Sequence, residues 1–213
     1  MAWDFAAEIH SLSGFDADLA GTTGSISGEN LSLHATQWLT DGAKEVINLL
    51  PINLQKLCTS MQTFTSVVAG SEATTLNTGK ILSVFAGDQS CRKIGSINKY
   101  KVSDSGNIMY ATSTDPVYYI ETNKINVLPA GLSCKYEEVQ YPAVSFDDTA
   151  ISVFPDEAEY LVVLYAAVRA VQDRMSSEAI NEDSELYALH SDKYAKLSAE
   201  YQRGLAALKG GKQ

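Results

Sequence analysis

The sequence predicts an α+β protein: a helical body with a long C-terminal antiparallel helix pair and an inserted β-rich central region. Three observations predict it. Apolar residues recur at three-to-four spacing over 33–50, give way to short runs of β-branched and aromatic residues, and return to helical spacing after Pro155. These changes of period divide the 213 residues into an acidic N-terminal arm and loop (1–32), an N-terminal helical part of the body (33–63), a β-rich region (64–153) and a helix pair with a short tail (154–213). A chain of this length with 45% hydrophobic residues has enough material for one sizeable core, or one core and a modest second lobe.

The arm carries Asp4, Glu8, Asp16, Asp18 and Glu29 without a single Lys or Arg, and 21–28 (GTTGSISG) reads as loop. Trp3, Phe5, Ile9, Leu12, Phe15 and Leu19 are spaced to pack as a short helix, either on the chain's own body or over a neighbouring subunit. In 33–50 the stripe is Ala35, Trp38, Leu39, Ala43, Val46, Ile47 and Leu50, and Pro51 ends it. Gly42 weakens that helix by about 1 kcal/mol relative to Ala, so tertiary packing has to hold it. A second short helix is expected over 53–61.

Strands are expected at 64–68, 80–85, 99–102, 117–121, 124–127 and 136–141, each bounded by turn formers. Thr122 and Asn123 suit a two-residue hairpin, and 104–107 (DSGN) a turn. Tyr100, Tyr110, Tyr118, Tyr119, Tyr136, Tyr141 and Phe146 stock either a β core or an exposed contact face, with core the ordinary use. Pro155 suits the first helical position, and Asp156 and Glu157 meet the positive helix end. The helix that follows is apolar round most of its circumference and therefore calls for burial, with the β region or a neighbouring chain covering what one partner helix cannot. An interruption is expected at 176–183, then a second helix over 184–208 and a frayed tail. Arg169 and Arg174 are expected to meet carboxylates of the following segment or of another chain. Tyr187, Tyr194 and Tyr201, seven apart, form a seam with His190 and Leu197 between them.

Charge and chemistry exclude more than they assign. The formal net charge of -10, from 26 acidic and 16 basic residues, argues against a surface that grips DNA. The pairs Arg92 with Lys93 and Lys99 with Lys101 are too small and too poor in aromatics to make a nucleic-acid track. No stretch of roughly 18 apolar residues is present to cross a bilayer. Cys58, Cys91 and Cys134 are odd in number and widely spaced, so within one copy they build neither a disulfide framework nor a four-cysteine zinc knot, and only a symmetric oligomer would bring cysteines together between subunits. His10, His34 and His190 lack metal-ligand spacing, and the carboxylate pairs Glu137 with Glu138 and Asp147 with Asp148 lack an oxygen-ligand loop. Asp88 reads as a turn residue. No phosphate loop or nucleophile elbow occurs. The expectation is a structural protein without cofactor, metal or catalytic residues. An α+β enzyme or small-molecule binding domain is the rival, as is a transiently binding chaperone or scaffold.

Two segments carry a resemblance. Residues 38–51 (WLTDGAKEVINLLP) and 154–167 (FPDEAEYLVVLYAA), with Tyr194, Leu197 and Tyr201 in the place of a final helix, resemble the head-to-tail adaptor (connector or neck) proteins of tailed bacteriophages. The resemblance implies a virion neck protein made in the host cytoplasm. It would join the capsid's portal to the tail and self-assemble into a ring, commonly a dodecamer, that lets genomic DNA pass without sequence-specific binding. Other tail-completion or collar proteins of the same neck share the layout. Trp38, Arg169, Arg174, Tyr187, Tyr194 and Tyr201 are then the candidates for packing or interface roles.

Overall fold

The computed structural model describes residues 4–14, 31–66, 74–180 and 184–210. The chain forms two compact units, a helical one from Met1–Cys58 and Tyr141–Gln213 and a β-rich one from Thr59–Gln140. The fold is α+β, with a helical body, two long C-terminal helices and a central β-rich region.

In the helical unit, α1 (Phe5–Ser13) starts where the Asp4 side chain accepts the N–H of Ala6 and stops at Gly14, whose φ of 72° lets its N–H reach the His10 carbonyl. It packs on α5 (Asp156–Ile180), burying Phe5 and Ile9, so this part of the arm lies on its own body. Phe15, Leu19 and the loop expected at 21–28 lie outside the described residues. The stripe of α2 (Leu31–Leu49) buries Ala35, Leu39, Ala43, Val46 and Ile47 against α5. The second short helix is briefer than the sequence suggests: α3 (Ile52–Gln55) runs into a 3-10 turn (Lys56–Cys58), and the chain is extended from Thr59. Burying Gln55, whose amide donates to the Ile47 and Leu50 carbonyls, ties off the end of α2 instead of prolonging the helix.

The β-rich unit has two four-stranded sheets. One is ordered β1 (Thr59–Thr65), β8 (Ser133–Val139), β3 (Ile81–Ala86), β4 (Gln89–Ser90) and is antiparallel throughout. The other is ordered β2 (Thr74–Thr75), β7 (Lys124–Leu128), β6 (Val117–Glu121), β5 (Arg92–Lys93), with only β5 parallel to its neighbour. Val84, Ala86, Cys134 and Tyr136 from the first meet Tyr118, Ile125 and Val127 from the second in one core. The opposite face of β6 and β7 supplies Val117, Tyr119 and Leu128 to a smaller core closed by Ile94, Val102 and Ala111. Two-sided burial explains why 117–119 (VYY) is apolar without alternation. Thr122 and Asn123 adopt φ of 51° and 57°, the doubly left-handed geometry that a tight hairpin requires.

Three local expectations are corrected. Residues 99–102 are helical, not extended, in α4 (Lys99–Ser103); only Val102 needs burial there, which one helical turn provides. The first strand starts at Thr59 and the last ends at Val139, because the two pair with each other. Residues beyond 140 return to the helical unit, where the Thr40 hydroxyl donates to the Val144 carbonyl and the Tyr141 hydroxyl to Asn48.

The long helices also differ in detail from expectation. Helix α5 begins at Asp156, one residue after Pro155, and continues through Ser176 to Ile180. Its buried Glu159 accepts the N–H of Ile151 at 2.6 Å, closing the preceding loop onto the first turn. α6 (Ser184–Gly210) takes in Gly210 as well. Contacts pair Leu161 with Gly204 and Tyr165 with Tyr201, so numbers fall along one helix as they rise along the other and the pair is antiparallel. The near-continuous burial of α5, with Ala158, Val162, Val163, Leu164, Ala166, Ala167 and Val171 fully enclosed, is met by α1, α2 and α6 of the same unit. Beyond the expected partner α6, helices α1 and α2 supply cover that the sequence assigned to the β region or a neighbouring chain.

Candidate functional site

The six residues singled out in the sequence fall into two groups. Tyr201 sits where α2, α5 and α6 meet: its hydroxyl donates to Glu45 Oε1 at 3.0 Å, and its ring lies 5.9 Å from that of Tyr165. The Tyr165 ring in turn lies against Gly42, where a Cβ would stand 2.8 Å from its Cδ1. The glycine that weakens α2 as a helix is therefore what lets α5 approach it. Arg169 stacks on Tyr165, with the guanidinium carbon 5.1 Å from the ring centroid, and donates to the Tyr165 hydroxyl and Gln172 Oε1. It thus meets a phenol and an amide where a carboxylate was expected, with Glu45 contributing through space. Burial, followed by the nearby Glu45 carboxylate, pushes the Tyr201 phenol well above its ordinary pKa and keeps the donor protonated. Trp38 is half-buried beside His34 with the rings edge to face at 5.8 Å, and Arg174 is half-buried.

The tyrosine seam changes character along α6. Tyr201 is buried, Tyr194 half-buried and Tyr187 41% exposed, together with Leu186 at 39% and Leu189 at 63%. Every described residue over 184–189 is exposed, so this end of α6 offers leucines and a tyrosine that its own unit does not cover.

A second uncovered apolar surface lies on the β-rich unit. Ile97, Tyr100 and Ile108 are 88%, 77% and 102% exposed, and Tyr110 joins them. Of the aromatics expected to form either core or contact face, Tyr118, Tyr119 and Tyr136 are core, whereas Tyr100 and Tyr110 face outward. No periodic signal separates the two sets: outward placement follows from α4 and the turn after it, in which Asp104 Oδ1 accepts the N–H of Gly106 and Asn107 Oδ1 that of Met109.

The carboxylate pairs have structural partners. Glu137 accepts the Ser83 hydroxyl at 2.5 Å. Glu138, wholly buried, takes the Thr78 hydroxyl and the N–H groups of Thr78 and Gly79 on one oxygen. Asp148 accepts the N–H of Ser145. His10, His34 and His190 lie on three different helices, and no group of three His, Cys, Asp or Glu among the described residues is placed to hold a metal ion. Cys91 and Cys134 share the β core, and desolvation pushes the Cys91 thiol up to about 12, which makes it inert at neutral pH.

A scan against protein-family models and a search of curated proteins each gave no match to the chain.

Proposed function

We propose that the chain is a structural subunit of the neck of a tailed bacteriophage, joining the capsid's portal to the tail as one member of a ring, twelvefold by the resemblance, through which DNA passes. The observation that carries this reading is the layout: a tightly packed helical unit built round α5, whose bounding segments are the two that resemble head-to-tail adaptors, with a β-rich unit inserted between them. Such a subunit needs a stiff frame and two different lateral surfaces, because a closed ring of identical chains uses heterologous contacts. The cluster of Gly42, Glu45, Tyr165, Arg169 and Tyr201 supplies stiffness, and the uncovered apolar residues on both units supply candidate surfaces. The net charge of -10 suits a passage that DNA slides through without being held.

Native mass measurement of the purified chain, alone and mixed with the portal protein of the same virus, tests this. The expected result is a ring on the portal, with one subunit ratio throughout. A chain that stays monomeric with the portal present, and does not bind it, would sink the reading.

A further inference from the structure

Of the four strands at the sheet edges among the described residues, β2, β4 and β5 are two residues long. The fourth, β1, runs for seven residues and pairs with β8 over its whole length without a register shift. Its outer side can be assigned residue by residue. Odd-numbered residues of β8 bond towards β3, since the Gly87 N–H reaches the Ser133 carbonyl and the Val139 N–H reaches the Lys80 carbonyl. Alternation then turns Cys134, Tyr136 and Glu138 towards β1, where their partners are Phe64, Gln62 and Ser60. Met61, Thr63 and Thr65 therefore direct their N–H and C=O groups away from β8, and no backbone hydrogen bond among the described residues meets them there. Their side chains are exposed, on the face opposite the core in which Phe64 packs on Tyr136. The strand holds no charged residue, no proline and no bulge, the usual means by which an edge is kept from pairing.

We propose that β1 is a dimerisation edge: it pairs antiparallel with β1 of a second copy about a twofold axis at Thr63, joining one sheet from each copy into a continuous sheet. Two observations choose a second copy as the occupant. The strand matches itself, because with Thr63 opposite Thr63 and Met61 opposite Thr65 each pair has outward N–H and C=O groups on both sides and exchanges both bonds. Threonine opposite threonine is a favourable cross-strand pair, and no like charges meet along the strand. The unit that carries β1 also does not repel its own kind: Thr59–Gln140 holds seven basic and seven acidic residues, so the whole formal charge of -10 lies in the helical unit. The contact is isologous and closes at two copies, so it goes beyond the neck reading without resting on it, and the heterologous contacts of a ring would use other surfaces.

Sedimentation and native mass of the full chain test it, with thermal unfolding followed in parallel. The wild-type chain is expected to pass from monomer to dimer as concentration rises. Amide hydrogen exchange at Met61, Thr63 and Thr65 should slow as it does, whereas Gln62 and Phe64, already bonded to β8, should change little. Thr63→Pro removes an outward N–H and no bond to β8, so the dimer should be lost at an unchanged melting temperature. Thr63→Lys keeps the test decisive should proline disturb the strand: it sets like charges on the axis, so its dimer should be lost at low salt and regained in part at high salt. Thr63→Cys should cross-link to itself on mild oxidation, whereas Met61→Cys and Thr65→Cys should cross-link only when mixed, because each then faces the other across the axis. A wild-type chain monomeric at every concentration, a Thr63→Lys dimer as tight as wild type, or equal cross-linking of the three cysteine variants taken singly would each overturn the proposal. A wild-type chain that is monomeric alone yet forms a ring on its portal also overturns it, and leaves the neck reading standing.

Discussion

Tyr201 and Tyr187 occupy equivalent places in one seven-residue repeat, yet the first is 5% exposed and the second 41%. Truncating Tyr201 to Ala should therefore cost about 3 to 5 kcal/mol, by transfer and cavity terms together. Tyr187→Ala should stay within about 0.5 kcal/mol, and urea unfolding of the two variants compares them directly. Gly42→Ala sets two effects of opposite sign against each other: Ala improves helix propensity by about 1 kcal/mol, while its methyl group would press on a Tyr165 ring already held by Tyr201 and Arg169, an overpacking cost of about 1 to 3 kcal/mol. Net destabilisation is expected; a gain in stability would mean that the ring moves freely. Titration adds a third residue-scale expectation. Burial and the neighbouring Glu200 push the Tyr160 phenol up to about 12, and burial pushes Tyr201 upward as well. A folded-state pKa above the unfolded value of 10 means that these groups stabilise the fold fully below pH 10, and that the contribution fades as pH rises toward 12. Melting temperature followed from pH 8 to 12 should fall across that window, and less steeply in the Tyr160→Phe, Tyr201→Phe double variant.

The elements legible in the sequence were those whose own residues decide them. Residues 33–50 and the segment after Pro155 carry long apolar periodicity, and Thr122 with Asn123 carries turn chemistry, so these features and the α+β class could be read directly. Residues 99–102 could not, because four residues with alternating Lys sit equally well on a strand or one helical turn, and burial of Val102 under Ala111 and Ile94 decides the matter from outside the segment. The interruption expected at 176–183 does not fall at its start, because Ser176 weakens a helix only slightly and α5 runs on to Ile180. Of the candidate site, the buried tyrosine of the helix pair had a sequence signature, but its partners Glu45, Gly42 and Tyr165 did not, since they converge from separate helices. One element carries strain that is testable. Val153 adopts φ of 55°, a conformation that a β-branched residue disfavours, and it is 48% exposed just before α5. Val153→Asn should stabilise by about 1 kcal/mol, read as a higher melting temperature, since Asn tolerates that region at lower cost.

At the scale of the whole molecule, two units share one chain because the β-rich unit interrupts the helical unit between Cys58 and Tyr141. Its first and last strands pair in register, with Thr59 opposite Val139, so the chain leaves and rejoins the helical unit through points about 5 Å apart. Replacing Thr59–Gln140 with a short glycine linker should therefore leave a helical protein that unfolds cooperatively, since α1, α2, α5 and α6 cover one another without it. Circular dichroism during heating checks this, and a non-cooperative melt would show that the insert is needed to fold its host. The adjacency of those two points also matters for heredity. A segment that begins and ends on one rung of a ladder can be exchanged for another by recombination at its borders, because the two chain ends it must meet lie side by side.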